Sequence, residues 1–177
     1  MRLVQTLRRL FGLSGERSPS KPVRFEQRIR INGRCEELYP LVDWRDERHL
    51  WRQLGHELRE GDDGFTFRIK DLPSTRFEIR VTETIGPSRY SYDSVTLPML
   101  GKLIDSHEEY RFEQLSDGQC EGVLAVDARF VAGLRPRRWR FEKWKMDTSC
   151  HNALAKLKLM AEEGLDAVRT ASRRIKV

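Results

Sequence analysis

The sequence predicts one α+β domain in which a run of antiparallel strands precedes a long amphipathic helix. Three observations predict it. Apolar and charged residues alternate in several stretches between residues 23 and 131, the period-2 signature of strands with one dry and one wet face. Turns rich in Gly and Asp separate these stretches, as in a meander. After Gly133 the apolar period changes to that of a helix and persists for about thirty residues.

The first strand is the clearest. Val23, Phe25, Gln27, Ile29 and Ile31 point one way and Arg24, Glu26, Arg28 and Arg30 the other, until Asn32-Gly33 breaks the pattern. Two short helices are expected next, over 34–42 and 44–53. Their apolar stripes are Cys35, Leu38 and Tyr39, then Leu50, Trp51 and Leu54, and Pro40 limits the first. Strands follow at 54–60, at Phe65–Ile69, at Phe77–Val81, around Tyr90 and Tyr92, at 104–115 and at 119–131. The final helix carries Met146, Cys150, Ala153, Leu154, Leu157, Met160, Ala161, Leu165 and Val168 along one stripe.

A chain of 177 residues, 38% hydrophobic and 34% charged, suffices for one domain with a real core. The net charge is +6, gathered at the two ends and around 135–145, which favours acidic surfaces as partners. Three widely separated cysteines, Cys35, Cys120 and Cys150, show no C-x-x-C spacing. That argues against a disulfide framework and a zinc site, and for a reducing, cytoplasmic setting. No run is apolar and long enough to span a bilayer. No two histidines stand three or four apart, and there is no phosphate-binding Gly loop or serine-nucleophile elbow. No metal or cofactor is therefore expected.

Residues 1–21 form a separate basic segment. Leu3, Val4, Leu7, Leu10 and Phe11 share one helical side, Arg2, Arg8 and Arg9 lie opposite, and a Gly/Ser/Pro linker follows. Arg8 and Arg9 interrupt what would be a signal peptide's apolar centre. An interfacial membrane helix, a transit peptide, and a terminus that docks on its own domain or stays disordered all fit this pattern. The domain proper is expected over 22–177.

The stretches VRFEQRIRINGRCEELYPLVDWRDERHLWRQL and EGVLAVDARFVAGLRPRRWRFEKWKM carry a resemblance in pattern. Strand, two short helices, six antiparallel strands and one long helix resemble the START-like superfamily (SRPBCC, the Bet v-like helix-grip fold), with its polyketide cyclase-like and lipid-transfer members. The resemblance covers about 22–172. It implies a curved sheet of about seven strands gripping the last helix, with a cavity that holds a lipid, sterol, polyketide or aromatic compound. It implies no particular reaction.

Followed inward, the alternation would line that cavity with Phe25, Ile29, Leu58, Phe67, Ile69, Phe77, Ile79, Tyr110, Phe112, Leu124 and Val126, and the helix would add Cys150, Leu154 and Leu157. The same parity places Gln27, His56, Tyr90, Tyr92 and Glu108 among the apolar groups. A carboxylate beside an imidazole could fix its tautomer for general-base work, with a tyrosine donating to an enolate oxygen. His56 and Glu108, with Tyr90 or Tyr92, are the candidates for a cyclase or dehydratase. One register slip would move them to the surface.

The segment from Arg135 to Lys145 is the other candidate. Arg137, Arg138 and Arg140 at a helix N-terminus oppose the macrodipole. Interleaved with them, Trp139, Phe141 and Trp144, together with Lys143, suit an anionic membrane face. Stacking on nucleic-acid bases is the disfavoured use. The plainer reading buries the tryptophans and pairs the arginines with Asp127 and Glu121. Residues 97–104, LPMLGKLI, are expected to form an apolar loop that is either a gate or a buried connection. Binding or transport of a hydrophobic small molecule is the function this reading favours. The cyclase-type enzyme and a basic interaction module are the alternatives, and nothing in the sequence sets the oligomeric state.

Overall fold

The computed structural model describes residues 21–70 and 72–174; the basic segment 1–21, Lys21 apart, lies outside them. The elements in chain order are β1 (Val23–Asn32), α1 (Cys35–Leu38), a 3-10 turn (Tyr39–Leu41), α2 (Leu50–Gln53), β2 (Glu57–Gly61), β3 (Gly64–Arg68), β4 (Arg76–Ile85), β5 (Arg89–Leu97), β6 (Leu103–Ser116), β7 (Gln119–Phe130), α3 (Pro136–Glu163) and α4 (Leu165–Arg174). The strands form one antiparallel sheet in the order β1-β7-β6-β5-β4-β3-β2, so only the β1–β7 pairing links strands distant in sequence. Register shifts between Val81 and Glu83, Leu103 and Asp105, and Gln114 and Ser116 bend the longer strands. The curved sheet wraps around α3, which packs across β1 and β7.

The predicted alternation decides which face is dry. Phe25, Phe67, Ile79, Tyr90, Tyr110, Phe112, Leu124 and Val126 are buried between sheet and helix, and Cys150, Leu154 and Leu157 meet them from α3. Ile29, Leu58, Ile69 and Phe77 are half-buried against the same cluster. The outer face is laced with ion pairs: Arg24 with Asp127, Glu26 with Arg28 and Arg111, and Glu109 with Arg89 and Arg111. Much of the high charged fraction is spent there, where each pair adds at most about 1 kcal/mol.

Three expected elements are shorter or broken. The second helix, expected over 44–53, is helical only at Leu50–Gln53. Asp43 and Asp46 turn their side chains onto the backbone N–H groups of Arg45 (3.0 Å) and Arg48 (2.8 Å), which offers the chain turns in place of helix. The strand expected over 54–60 begins only at Glu57, because Leu54 and Gly55 complete the turn that ends α2, with His56 N–H bonded to the Trp51 carbonyl. The last helix stops at Gly164, where φ is +86°, and α4 starts afresh. A left-handed glycine caps α3, its N–H reaching the Leu159 and Met160 carbonyls.

Gly64 shows how tightly β3 lies on β4. Its φ is +138°, and a Cβ there would stand 2.2 Å from the Ile79 carbonyl oxygen. Gly64→Ala is expected to lower the unfolding free energy by about 2–4 kcal/mol, combining backbone strain with a clash against main chain that cannot move aside. A denaturant melt checks it; a loss below about 0.5 kcal/mol, the range of surface changes, would contradict this packing.

Candidate functional site

The interior polar cluster is built by strand register. Tyr92 on β5 stands opposite Glu108 on β6, which stands opposite Val126 on β7, itself opposite Phe25 on β1. One row of inward side chains therefore holds a carboxyl group among apolar neighbours. Tyr92 donates to Glu108 Oε2 (2.8 Å) and Ser106 to Oε1 (3.1 Å). Burial raises the Glu108 pKa above the ordinary carboxylate range, against the opposing pull of these two hydrogen bonds. Burial likewise drives the Tyr92 and Tyr110 hydroxyls upward, and the Cys150 thiol to about 12. None of these three ionises near neutrality, so they can only donate, accept or fill space.

A second polar pair stands beside it. The turns at 43–49 swing Trp44 and His49 inward, ring centroids 4.1 Å apart, with residue exposures of 2% and 3%. Trp44 also packs against Phe67 (5.5 Å) and Tyr92 (5.6 Å), and its backbone N–H donates to the Tyr90 hydroxyl (3.1 Å). Burial, with the Arg52 cation nearby, lowers the His49 pKa to about 3, which keeps the imidazole neutral. Its Nδ1 and the Trp44 Nε1–H find no hydrogen-bond partner among the described residues. Buried polar atoms left this way cost about 1–3 kcal/mol each, and a native structure keeps them for a reason such as a water or a ligand.

His49 borders a small cavity shared with Leu41, Val42, Leu50 and Trp51 on one side, Tyr92 and Tyr110 on the sheet, and Ala153 and Leu157 on α3. Its volume is about 10 Å³, room for roughly one water. The side chains expected to line an open interior pack together in one core cluster; of those, Tyr110 and Leu157 border this cavity. A larger hollow of about 310 Å³ lies on the outer face of β2–β4, but Glu57, Arg59, Thr66, Arg68, Arg76 and Glu78 line it. It is a polar groove, unsuited to an apolar guest.

The catalytic trio read from the sequence does not assemble. Glu108 takes its hydrogen bonds from Tyr92 and Ser106, while His56 stands before β2, four strands from β6. His56 Nδ1 accepts from Lys70 N–H (3.3 Å), and its ring packs on Trp51 and Phe67. Tyr90 is held by Trp44 and Tyr39. Parity brought Tyr92 and Glu108 together and could not see that β3, β4 and β5 intervene for His56. Trp44 and His49 were missed as site residues, because a corner without period gives no face to follow; their one signal was a Trp beside an Asp-rich turn. Among the described residues no group of three or more His, Cys, Asp or Glu is placed to hold a metal ion.

The basic segment opens α3 with no acidic residue in its first turn. Trp139 is half-buried on Phe130 (5.3 Å, edge-to-face), but Trp144 is 61% and Phe141 45% exposed. The arginines do not pair with the strand carboxylates: Asp127 is bonded to Arg24, and Glu121 lies within 3.7 Å of Arg28. Instead Arg138 (2.6 Å) and Lys145 (2.8 Å) hold the buried Glu142. The 97–104 loop is neither wholly buried nor a lid over the cavity; Pro98, Met99 and Leu100 project into solvent.

No protein-family model matches the chain, and no curated protein matches it in sequence. Solved structures do. A protein from Arthrobacter aurescens is similar at TM-score 0.61 and 14% identity, over 85% of this chain and 94% of its own. A START superfamily protein from Mycobacterium smegmatis is similar at TM-score 0.56 and 12% identity, over 79% and 97%. DynU16, a protein of the dynemicin biosynthetic locus, is similar at TM-score 0.58 and 13% identity, over 81% of this chain but 49% of its own, so the chain spans about half of DynU16. At such identities the likeness is one of fold. This chain has the helix-grip fold of START-like proteins, the architecture that the order of its strands and helices predicted.

Proposed function

We propose that the protein binds a small, neutral, mostly apolar molecule carrying one hydroxyl or carbonyl group, held between the sheet and α3. The observation that supports this best is the pair of orphaned polar atoms, His49 Nδ1 and Trp44 Nε1–H, one an acceptor when the imidazole is protonated on Nε2 and the other a donor, close to the half-buried Glu108–Tyr92 hydrogen bond. A mostly apolar pocket with a few convergent polar groups is the general form of a small-ligand site. The space is not preformed. About 300 Å³ or more is typical of a drug-sized ligand, so the guest must displace the 41–54 segment. That segment is suited to yield: beyond Leu41, the last residue of the 3-10 turn, its regular structure is the four-residue helix Leu50–Gln53. The START superfamily protein and DynU16 lend support at the level of fold. A cyclase-type reaction has less behind it, because the hydrogen bonds to Glu108 come from Tyr92 and Ser106 and His56 stands four strands away.

Native mass spectrometry of the full chain purified from its own cells tests this reading. A bound compound of a few hundred daltons is expected on the wild type and absent from Ala153→Phe, whose ring would fill the space. Circular dichroism and a thermal melt confirm that this variant folds. The same adduct on both proteins, or none on either, would contradict the proposal.

A further inference from the structure

Four of the seven large hydrophobic side chains exposed among the described residues lie at one end of the molecule. Met99 (47%) and Leu100 (50%) form the tip between β5 and β6, and Phe141 (45%) and Trp144 (61%) lie on the opening turns of α3. The two groups adjoin. A Cβ on Gly101 would stand 2.7 Å from Lys145 Nζ and 3.1 Å from Glu142 Oε2, so the tip's backbone rests on the same helical turn that carries Phe141 and Trp144. Those two rings pack together at 5.8 Å, and Arg138 and Lys145 lie over Phe141 at 5.4 and 5.2 Å.

Charge surrounds this apolar end. From Arg135 to Lys145 there are six cations and one acid, Glu142. Glu142 is turned inward, 2% exposed, and ion-paired with Arg138 and Lys145. Arg135, Arg137, Arg140 and Lys143 enter no ion pair among the described residues, and the N-terminal end of α3 adds its own positive pole. On the outer sheet face many cations are laced to carboxylates; here four stand beside exposed aromatics, Lys143 lying over the Trp139 ring at 6.0 Å.

We infer that this end docks on an anionic lipid bilayer, with Met99, Leu100, Phe141 and Trp144 entering the headgroup layer and the four unpaired cations meeting lipid phosphates. Exposed Trp and Phe beside Arg and Lys match the interfacial zone, and juxtaposed cations draw a protein to an acidic leaflet. Two other occupants fit less well. A polyanion such as nucleic acid would use the rings but leave the aliphatic tip in water, and a second copy of the chain would bring like charges face to face across a two-fold axis. The inference stands apart from the interior site, since none of these side chains borders the cavity.

The test is flotation of the full chain with vesicles of phosphatidylcholine containing about 30% phosphatidylglycerol, compared with phosphatidylcholine alone. Binding to the acidic vesicles is expected, weakened at least about tenfold on neutral ones and by raising NaCl from about 0.05 to 0.5 M. Arg137→Ala/Arg140→Ala/Lys143→Ala is expected to weaken it about 100-fold, and Leu100→Ser/Trp144→Ser by a comparable factor, both with unaltered melting curves. Brominated lipid should quench the tryptophan emission, and Trp144→Phe should lose most of the quenching while still binding. Binding left unchanged by both multiple variants would overturn the inference and place any anchor in residues 1–13. So would patch-dependent capture of duplex DNA or polyglutamate without vesicle binding, or self-association abolished by the same substitutions.

Discussion

Acidification from pH 7 to pH 4 is expected to remove about 3 kcal/mol of stability through His49 alone. The folded imidazole titrates near 3, against 6.5 when exposed in the unfolded chain. Between those values the unfolded state binds a proton that the folded state refuses, so stability is complete above the ordinary histidine pKa and drains as pH falls through the window. Glu108 has the opposite sign. Its raised folded pKa means stability that is present below the ordinary carboxylate value and lost as pH rises through the folded one. The two slopes oppose each other in the wild-type profile, and single variants separate them. Urea midpoints of His49→Phe from pH 7 to pH 4 should lose most of the acid-side fall, while Glu108→Gln should lack the loss on the neutral side. Asp46, held low chiefly by its hydrogen bond to Arg48, adds an acid-side loss that solvent screens, and it is common to wild type and variant. A His49→Phe profile parallel to the wild type would contradict the buried, neutral placement of this ring.

Leu154→Ala is expected to cost about 2–5 kcal/mol, the range for deleting a fully buried leucine from a core that relaxes only in part. Leu154 is 1% exposed at the centre of the α3 stripe, among the sheet's inward side chains. For a domain of this size each kcal/mol moves the melting temperature by about 2–4 °C, so a calorimetric scan should show a drop of about 5–15 °C. Leu115→Ala, at a residue 42% exposed on the sheet, should stay within about 0.5 kcal/mol of wild type. Equal effects at the two positions would mean that α3 does not close the core.

The large features were legible because they are periodic. Val23 to Ile31 shows its dry face in every second residue, and Cys150, Leu154 and Leu157 show theirs at helical spacing; both stripes meet in one core cluster. What was not legible depends on side chains competing for the backbone. Asp43 and Asp46 dissolve the second helix into turns, and no apolar count could register that their carboxylates would reach Arg45 and Arg48 N–H. Within the site, parity correctly sent Tyr92 and Glu108 inward. It was blind to distance across the sheet, which leaves His56 at the far edge. Cavity volume is a small remainder after large side chains have packed, and residue type alone does not set it. The exposure of Trp144 and Phe141 beside the buried Trp139 turns on helical phase at the start of α3, where apolar residues occur on more than one side.

The proposed ligand binding rests on whether a guest can part the 41–54 segment from α3. Methyl NMR of the labelled chain, titrated with the apolar extract of its own cells, reads that event directly. The prediction is saturable shifts at Leu41, Val42, Leu50 and Leu157, the aliphatic side chains bordering the closed space, with Leu115 and Ile85 unmoved. Shifts confined to those exposed methyls, or none at all as the extract is added, would contradict an interior ligand.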